Sequence, residues 1–409
     1  MSADGRHDTV IIGGGQAGLA MSCVLHDAGR EHVVLERARV AERWRSERWD
    51  SLRFQFPNWT IELPGARYEG GDPEEFAGAP EIAGLLERYA VSIGAPVVEG
   101  CVVTALDRDP STSDLVLATS SGEVRARSVV VATGPFQRPA IPAFSRDVPE
   151  QVLQLDPTRY RRPKDLPPGA VLVVGSGASG AQIADDLLRT GRTVFLSVSS
   201  HRRVPRRFRG RDFFWWLEKL GRFSQTVDDL PGGRRPPGLL VTGVDGGYDL
   251  TINGLAAGGA VLAGHLGGVA DGRAIFADDV AETLREADRA YDGFVAAAGA
   301  AAPGLEGDLT PDEGPTPAAV PPADGLRSLD LEAEAVGTVV WATGYEYAYE
   351  WLHLPVLDER GSPVQRRGVT AEPGLYFLGL HWMHTLRSGL LMGVGDDARF
   401  LAEQIERRG

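Results

Sequence analysis

Residues 171–187 read VLVVGSGASGAQIADDL: four apolar residues, a glycine turn, then alternation at helical spacing. Residues 10–25, VIIGGGQAGLAMSCVL, have the same order of parts. The turns carry Gly13, Gly15 and Gly18 in one case and Gly175, Gly177 and Gly180 in the other, each in the spacing G-x-G-x-x-G. One such spacing alone is weak evidence. Here each follows an apolar strand, opens a helix and is followed by a second strand, HVVLE (32–36) or TVFLSVSS (193–200), which is the context of a βαβ unit. Gly29 and Gly191 stand where each helix must stop, because glycine takes the left-handed cap without a Cβ penalty.

The likeness continues downstream. After the first unit come turns at DPSTSD and SSGE, then SVVVATG (128–134). After the second come a hairpin signal at Asp271-Gly272 and then GTVVWATGY (337–345). This repeat predicts an α/β protein with two Rossmann-type dinucleotide-binding domains, each with a small β meander. The first domain is expected to be discontinuous, over residues 1–160 and 330–409, with the second over 168–329. Val280, Leu284, Ala287, Tyr291 and Phe294 predict a helix capped by Asp278 or Asp279. The Ala-, Pro- and Gly-rich run 296–325 reads as a surface loop or tether.

Composition bounds the function. The 409 residues are 43% hydrophobic and 24% charged, as in soluble globular proteins, and suffice for two cores. The net charge of −14 argues against nucleic acid or an anionic membrane as partner, with SSHRRVPRRFRGR (199–211) as a local exception. No apolar run reaches the length of a membrane span and MSADGRHDTV lacks signal-peptide character, so a cytoplasmic location is expected. Cys23 and Cys101, the only cysteines, form no C-x-x-C pair; both read as buried and structural, with neither a redox dithiol nor a metal cluster.

The end of the second strand selects the dinucleotide. Glu36, with Arg37 beside it, follows the first glycines by about twenty residues, where a carboxylate accepts from ribose hydroxyls and repels a 2′-phosphate; this suits FAD or NAD, and FAD is the economical assignment beside a second site for NADPH. Gln16 and Ala17 would lie along its phosphates, and Trp44 could pack against the flavin. No acidic residue occurs from Thr190 to Arg211. Ser199, Ser200, His201, Arg202 and Arg203 instead offer hydroxyls and guanidinium forks, which suits the 2′-phosphate of NADPH. Ser179 would open the second phosphate helix, and the two Ala-Thr-Gly turns, Ala132-Thr133-Gly134 and Thr343-Gly344, would close the two sites. Two dinucleotides make sense together when one delivers hydride and the other holds the electrons where chemistry occurs.

GGGQAG, GSGASG, both ATG strands and the late segment PGLYFLGLHWMHTLRSGLLMGVGDDARFLAEQI (373–405) together resemble the flavin-containing monooxygenases in the broad sense, notably short bacterial flavoproteins. The resemblance covers most of the chain and implies FAD reduced by NADPH, reaction with O2 at flavin C4a, and transfer of one oxygen to an amine, sulfide or ketone. It also implies a fingerprint F-x-G-x-x-x-H before the second glycine turn. Here residues 142–163 keep Phe144 and Tyr160 but carry Asp156 where the histidine is expected. By the same resemblance Asn58 would donate to oxygen bound at the flavin, against the alternative that it serves a Pro57-Asn58 turn. His384, at the carboxyl end of the strand GLYFLGL beside His381, Trp382 and Arg387, is a candidate proton donor. Asp396 or Asp397 would cap the last helix. RDFFWWLEKL (211–220) reads as a lid or as a packed helix. A small-molecule substrate and O2 are the expected partners. A reductase for a quinone or protein acceptor, and a sensor of pyridine-nucleotide redox state, are the rival functions.

Overall fold

The computed structural model describes residues 6–230, 237–305, 307, 309–311 and 325–408. Strand β1 (Arg6–Ile12), helix α1 (Gln16–Asp27) and strand β2 (His32–Leu35) form the first βαβ unit. Val10, Ile11, Val34, Leu19 and Leu25 are fully buried in it, which is why both strands read as continuous apolar runs. β1 lies parallel between β2 and the long strand Gly122–Val131, with Ile12 opposite both Leu35 and Val131. Strands Leu115–Thr119 and Val103–Arg108 extend this sheet antiparallel, and the late strand Leu375–Phe377 returns to pair with Gly122–Val131. The first sheet therefore draws its strands from both the early and the late parts of the chain.

The second sheet is wholly parallel, in the order Leu153–Leu155, Val336–Trp341, Ala170–Val174, Val194–Ser197, Val261–Ala263. Its central strand Ala170–Val174 is flanked as β1 is, by the βαβ partner on one side and the ATG strand on the other. This corrects the expected domain limits. Strand Val336–Trp341 belongs to the second sheet and not to the returning part of the first domain, and Leu153–Leu155 precedes the expected start at 168. The reason is that the ATG strand fills the slot beside the glycine-turn strand in each copy.

The Asp271-Gly272 hairpin forms as expected, with both residues at positive φ of 49° and 72°, between Leu266–Ala270 and Arg273–Phe276. The helix expected from Val280 runs to Ala301, so it takes in the first part of the Ala-rich run read as a tether. Alanine carries the lowest helix cost of any residue, and Ala298 is fully buried on the packed face. Most of the rest of that run, 312–324, lies outside the described residues. Asp279 takes the cap position, but its carboxylate accepts from His265 N (3.0 Å). Residues 211–220 are a packed helix, Phe213–Lys219, capped by Asp212 and burying Phe213, Phe214, Trp216 and Leu217. Both cysteines are buried and unpaired, and no helix of the described residues is long and apolar enough to cross a membrane.

Candidate dinucleotide sites and the cleft between them

The two glycine turns are built alike. A Cβ on Gly13 would lie 2.6 Å from the carbonyl oxygen of Ala132, and one on Gly175 would lie 2.5 Å from that of Ala342, so each turn abuts its own ATG segment. Both glycines have positive φ, 114° and 99°. A Cβ on Gly18 would meet Gly13 O at 1.8 Å and one on Gly180 would meet Gly175 O at 1.9 Å, so the third glycine is required for helix to close on strand. The middle glycines, Gly15 and Gly177, have nothing within 4 Å of that position. An open approach to bare backbone beside a helix N-terminus fits a pyrophosphate. Gln16, Ala17 and Ser179 lie in the first turns of the two helices.

The sugar ends differ. The Glu36 carboxylate accepts from Gly14 N at 2.6 Å and from Ala38 N at 2.9 Å, which fixes it at the mouth of the first turn with acceptor capacity left for hydroxyls. Arg37 is exposed, 3.5 Å from Glu47. In the second copy Ser199 takes the corresponding place: its Oγ accepts from Ser176 N at 3.1 Å, and its own N–H donates to Ser176 Oγ at 2.9 Å. A neutral hydroxyl thus stands where the first turn has a carboxylate. His201 is buried with Nδ1 2.8 Å from Ser199 O, and burial lowers its pKa. Arg202 is half-buried, its Nε donating to Pro237 O (2.8 Å). Arg203 is drawn elsewhere, paired with Asp288 at 2.9 Å and lying 4.1 Å over the Tyr291 ring. Arg206 is buried against Asp212 and donates to Gln55 O at 2.8 Å, which ties the second domain's insertion to a first-domain loop.

The ATG segments cross-link the domains. Thr343 Oγ1 donates to Ala140 O (2.6 Å), Ala140 N donates to Gly344 O (3.0 Å), and Tyr345–Glu346 pairs antiparallel with Arg138–Pro139. Gln137, which sequence reasoning missed, donates to Thr133 Oγ1 (3.0 Å) and Gly134 O (2.9 Å) and accepts from Ala348 N (2.7 Å). Its only signal in sequence is its place three residues after the first ATG. Phe136 stands between Tyr345 and His381, 5.1 and 5.0 Å from their ring centroids.

The C-terminal loop covers the start of α1. A Cβ on Gly379 would lie 2.6 Å from Ala17 Cβ, and Gln16 Nε2 donates to Gly389 O at 3.2 Å. His384 sits half-buried on this loop; its N–H and that of Thr385 donate to Ser388 Oγ at 3.0 and 3.1 Å. Beneath them is Asp397, expected at a helix cap but buried, its carboxyl pushed up by desolvation and held back by Ser388 and His384. Near this loop an apolar wall forms from Phe56, Trp59, Phe214, Leu386, Leu390 and Met392, with Phe56 and Phe214 centroids 4.2 Å apart. Asn58 is buried with both ends of its amide engaged: Nδ2 donates to Asp72 O (3.1 Å) and Oδ1 accepts from Ala77 N (2.7 Å). That is the loop-bracing role. Trp44 packs edge-on to Phe54 at 6.2 Å, and Trp49 is buried in the second domain's core. Asp156 is buried with Oδ1 held by Thr158 N and Oγ1 (2.8 and 2.5 Å), and Tyr160 donates to Asp186 (2.6 Å).

The chain is 32% identical over 401 residues to a CzcO-like oxidoreductase of Geobacillus kaustophilus, covering 97% of this chain and 98% of the relative. It belongs to the CzcO-like oxidoreductases. The family profile described as pyridine nucleotide-disulphide oxidoreductase matches residues 10–212. An indole-3-pyruvate monooxygenase, YUCCA4, of Oryza sativa is 31% identical over 242 residues, 54% of each chain. Among solved structures, a flavin-containing monooxygenase of Stenotrophomonas maltophilia shares the fold, with a TM-score of 0.66 at 19% identity over 98% of both chains. The chain thus shares its fold with a flavin-containing monooxygenase and about half of its length with a plant monooxygenase.

Proposed function

We propose that this chain is an NADPH-dependent FAD monooxygenase that inserts one oxygen atom from O2 into a small nucleophilic nitrogen or sulfur compound or a carbonyl compound. The observation that carries this is the pair of open glycine turns, joined through the ATG segments, with Glu36 beside the first and Ser199 beside the second. FAD bound at the first would accept hydride from NADPH and return the electrons to O2.

Glu36 would accept from the ribose hydroxyls of the adenosine half, and Gly15 would admit the pyrophosphate to the α1 N-terminus. Ser199 and Arg202 would receive the 2′-phosphate at the second turn, while Arg203 pairs with Asp288 of the helix Val280–Ala301. The wall of Phe56, Trp59, Leu386 and Leu390 keeps water from the reacting face and accepts an apolar substrate body. His384, beside that wall, exchanges a proton at its imidazole. The plant relatives named for indole-3-pyruvate align with half of this chain, so aromatic 2-oxo acids join amines, sulfides and ketones in a substrate screen. A disulfide-reducing role finds no support, because Cys23 and Cys101 are both buried and free.

The test is anaerobic titration of the FAD-loaded protein with NADPH and with NADH, followed by reoxidation with O2 or with a quinone. Reduction by NADPH in preference to NADH and reoxidation by O2 support the proposal. Reoxidation only by the quinone, or by an added protein acceptor, would replace it with the reductase.

A further inference from the structure

Helix α2 (Glu42–Ser46) and the residues after it bring three guanidinium groups together at the domain junction with little to balance them. Arg43 is 3.3 Å from Glu47 and donates to Gln137 O (3.4 Å), beside the first ATG turn. Arg161, on the connector, spends one nitrogen on three carbonyls, those of Arg48, Thr158 and Tyr160, at 2.8 to 3.3 Å. Arg48 donates to the carbonyl of Glu47 (2.8 Å) and lies 5.4 Å over the Trp44 ring. Among the described residues no carboxylate lies within ion-pair distance of it, and Glu47 is shared with Arg43 and the exposed Arg37. Burial lowers its pKa, and its polar neighbours are Tyr345, Glu47, Arg43 and Arg161.

A cation withdrawn from water without a counter-charge is costly, and the cost is offset when a ligand brings the charge. The position says which ligand. Tyr345 follows the second ATG turn, and that turn abuts Gly175 of the second phosphate cradle. Arg48, in the first domain, thus lies near the segment that leaves the second domain's glycine turn. We propose that Arg48, flanked by Arg43 and Arg161, is an anion seat that takes the pyrophosphate of NADP(H) from across the cleft. This rests on the second turn being the NADP(H) site, as under the proposed function. The seat makes dinucleotide binding a task of both domains, so a bound NADP(H) draws them together over the cleft.

The experiment measures dissociation constants of the FAD-loaded protein for NADP+, NAD+ and adenosine 2′-monophosphate, by calorimetry, in wild type, Arg48→Gln and Arg48→Lys. Removing one charge-assisted hydrogen bond should weaken NADP+ and NAD+ by about the same factor, roughly tenfold, because both carry the pyrophosphate. Adenosine 2′-monophosphate should be unaffected, and Arg48→Lys should recover most of the affinity. FAD content and unfolding midpoint report whether each variant is folded, and Arg48→Gln should melt no lower than wild type without dinucleotide but be stabilised less by NADP+. Unchanged NADP+ affinity in Arg48→Gln overturns the proposal. Loss of FAD from Arg48→Gln with dinucleotide affinity intact also overturns it, since the seat would then serve the flavin. Failure of the wild type to bind NADP+ at all would instead overturn the assignment of the second turn, and this inference with it.

Discussion

Thr343 Oγ1 donates a 2.6 Å hydrogen bond to the carbonyl of Ala140 across the junction of the two domains. Each ATG turn abuts its own glycine turn and is also tied to the segment that follows the other, so the two glycine turns are held in one frame. Thr343→Val removes the donor and leaves a carbonyl short of a partner, at a cost of about 1–3 kcal/mol. We expect FAD and NADP+ to bind nearly as before while anaerobic hydride transfer slows, because the frame sets the geometry between them. Stopped-flow reduction and urea unfolding check the two parts; an unaltered transfer rate would remove the frame from the account.

The glycines separate folding from binding. Gly177→Ala adds a Cβ into open space, so the variant should fold with FAD in place yet bind NADP+ about tenfold or more weakly, the bare backbone being needed for close approach. Gly180→Ala would place a Cβ 1.9 Å from Gly175 O and should destabilise the second domain itself. Calorimetric titration with NADP+ and thermal unfolding distinguish the two; equal thermal losses would contradict it.

Much of this frame was legible in the sequence because backbone geometry dictates it. Gly13, Gly18, Gly175 and Gly180 face carbonyls that no Cβ can approach, and the ATG segments recur because each supplies the carbonyl that Gly13 or Gly175 faces. What the sequence could not show was non-local. Strand Val336–Trp341 sits in the second sheet through partners more than 150 residues away, which local pattern does not reveal. Arg203 looked available in a basic run, but its partner Asp288 comes from a helix 85 residues on. Asn58, which the resemblance placed near the flavin with a local turn as the alternative, bonds to a folded-back loop through Asp72 O and Ala77 N, and Asp397, read as one of two possible helix caps, lies buried beneath residues 384–388.

Ser199 decides the sugar in this account. Ser199→Glu restores a carboxylate at the mouth of the second turn, where it would repel a 2′-phosphate and accept from a 2′-hydroxyl. NADP+ affinity should fall by about ten- to a hundredfold relative to NAD+, on the scale of one hydrogen bond to a charged group removed and one repulsion introduced. Parallel titrations of both dinucleotides give the ratio; an unaltered ratio would move the 2′-phosphate away from Ser199.

Asp397 gives a pH dependence of stability. Burial raises its carboxyl above the ordinary range in the folded state, so folding favours the protonated form, and stability is lost as pH rises through the folded value. Asp397→Asn, which is neutral and of the same shape, should therefore be more stable than wild type at about pH 7.5, with the gap closing as pH falls into the carboxylate range. Urea unfolding across that interval checks the sign. A variant less stable at the higher pH would mean that the Ser388 bond to the ionised carboxylate outweighs its burial.

The buried pair of Arg206 and Asp212 (2.5 Å) lies within the insertion that carries Phe214, and Arg206 also donates to Gln55 O of the first domain. Removing one partner leaves the other buried and uncompensated, so Asp212→Ala should lose about 3–5 kcal/mol in urea unfolding. A loss below about 1 kcal/mol would show that Arg206 finds another counter-charge or reaches water.

Under the proposed function, electrons from NADPH activate O2 for transfer to a substrate. The measurement closest to it is turnover under 18O2 with a panel of sulfides, amines, ketones and aromatic 2-oxo acids, reading the isotope in the product by mass spectrometry. The account predicts a product carrying one labelled oxygen atom per NADPH consumed. NADPH oxidation with every electron pair recovered in a quinone or another added acceptor, and no labelled product across the panel, would contradict it.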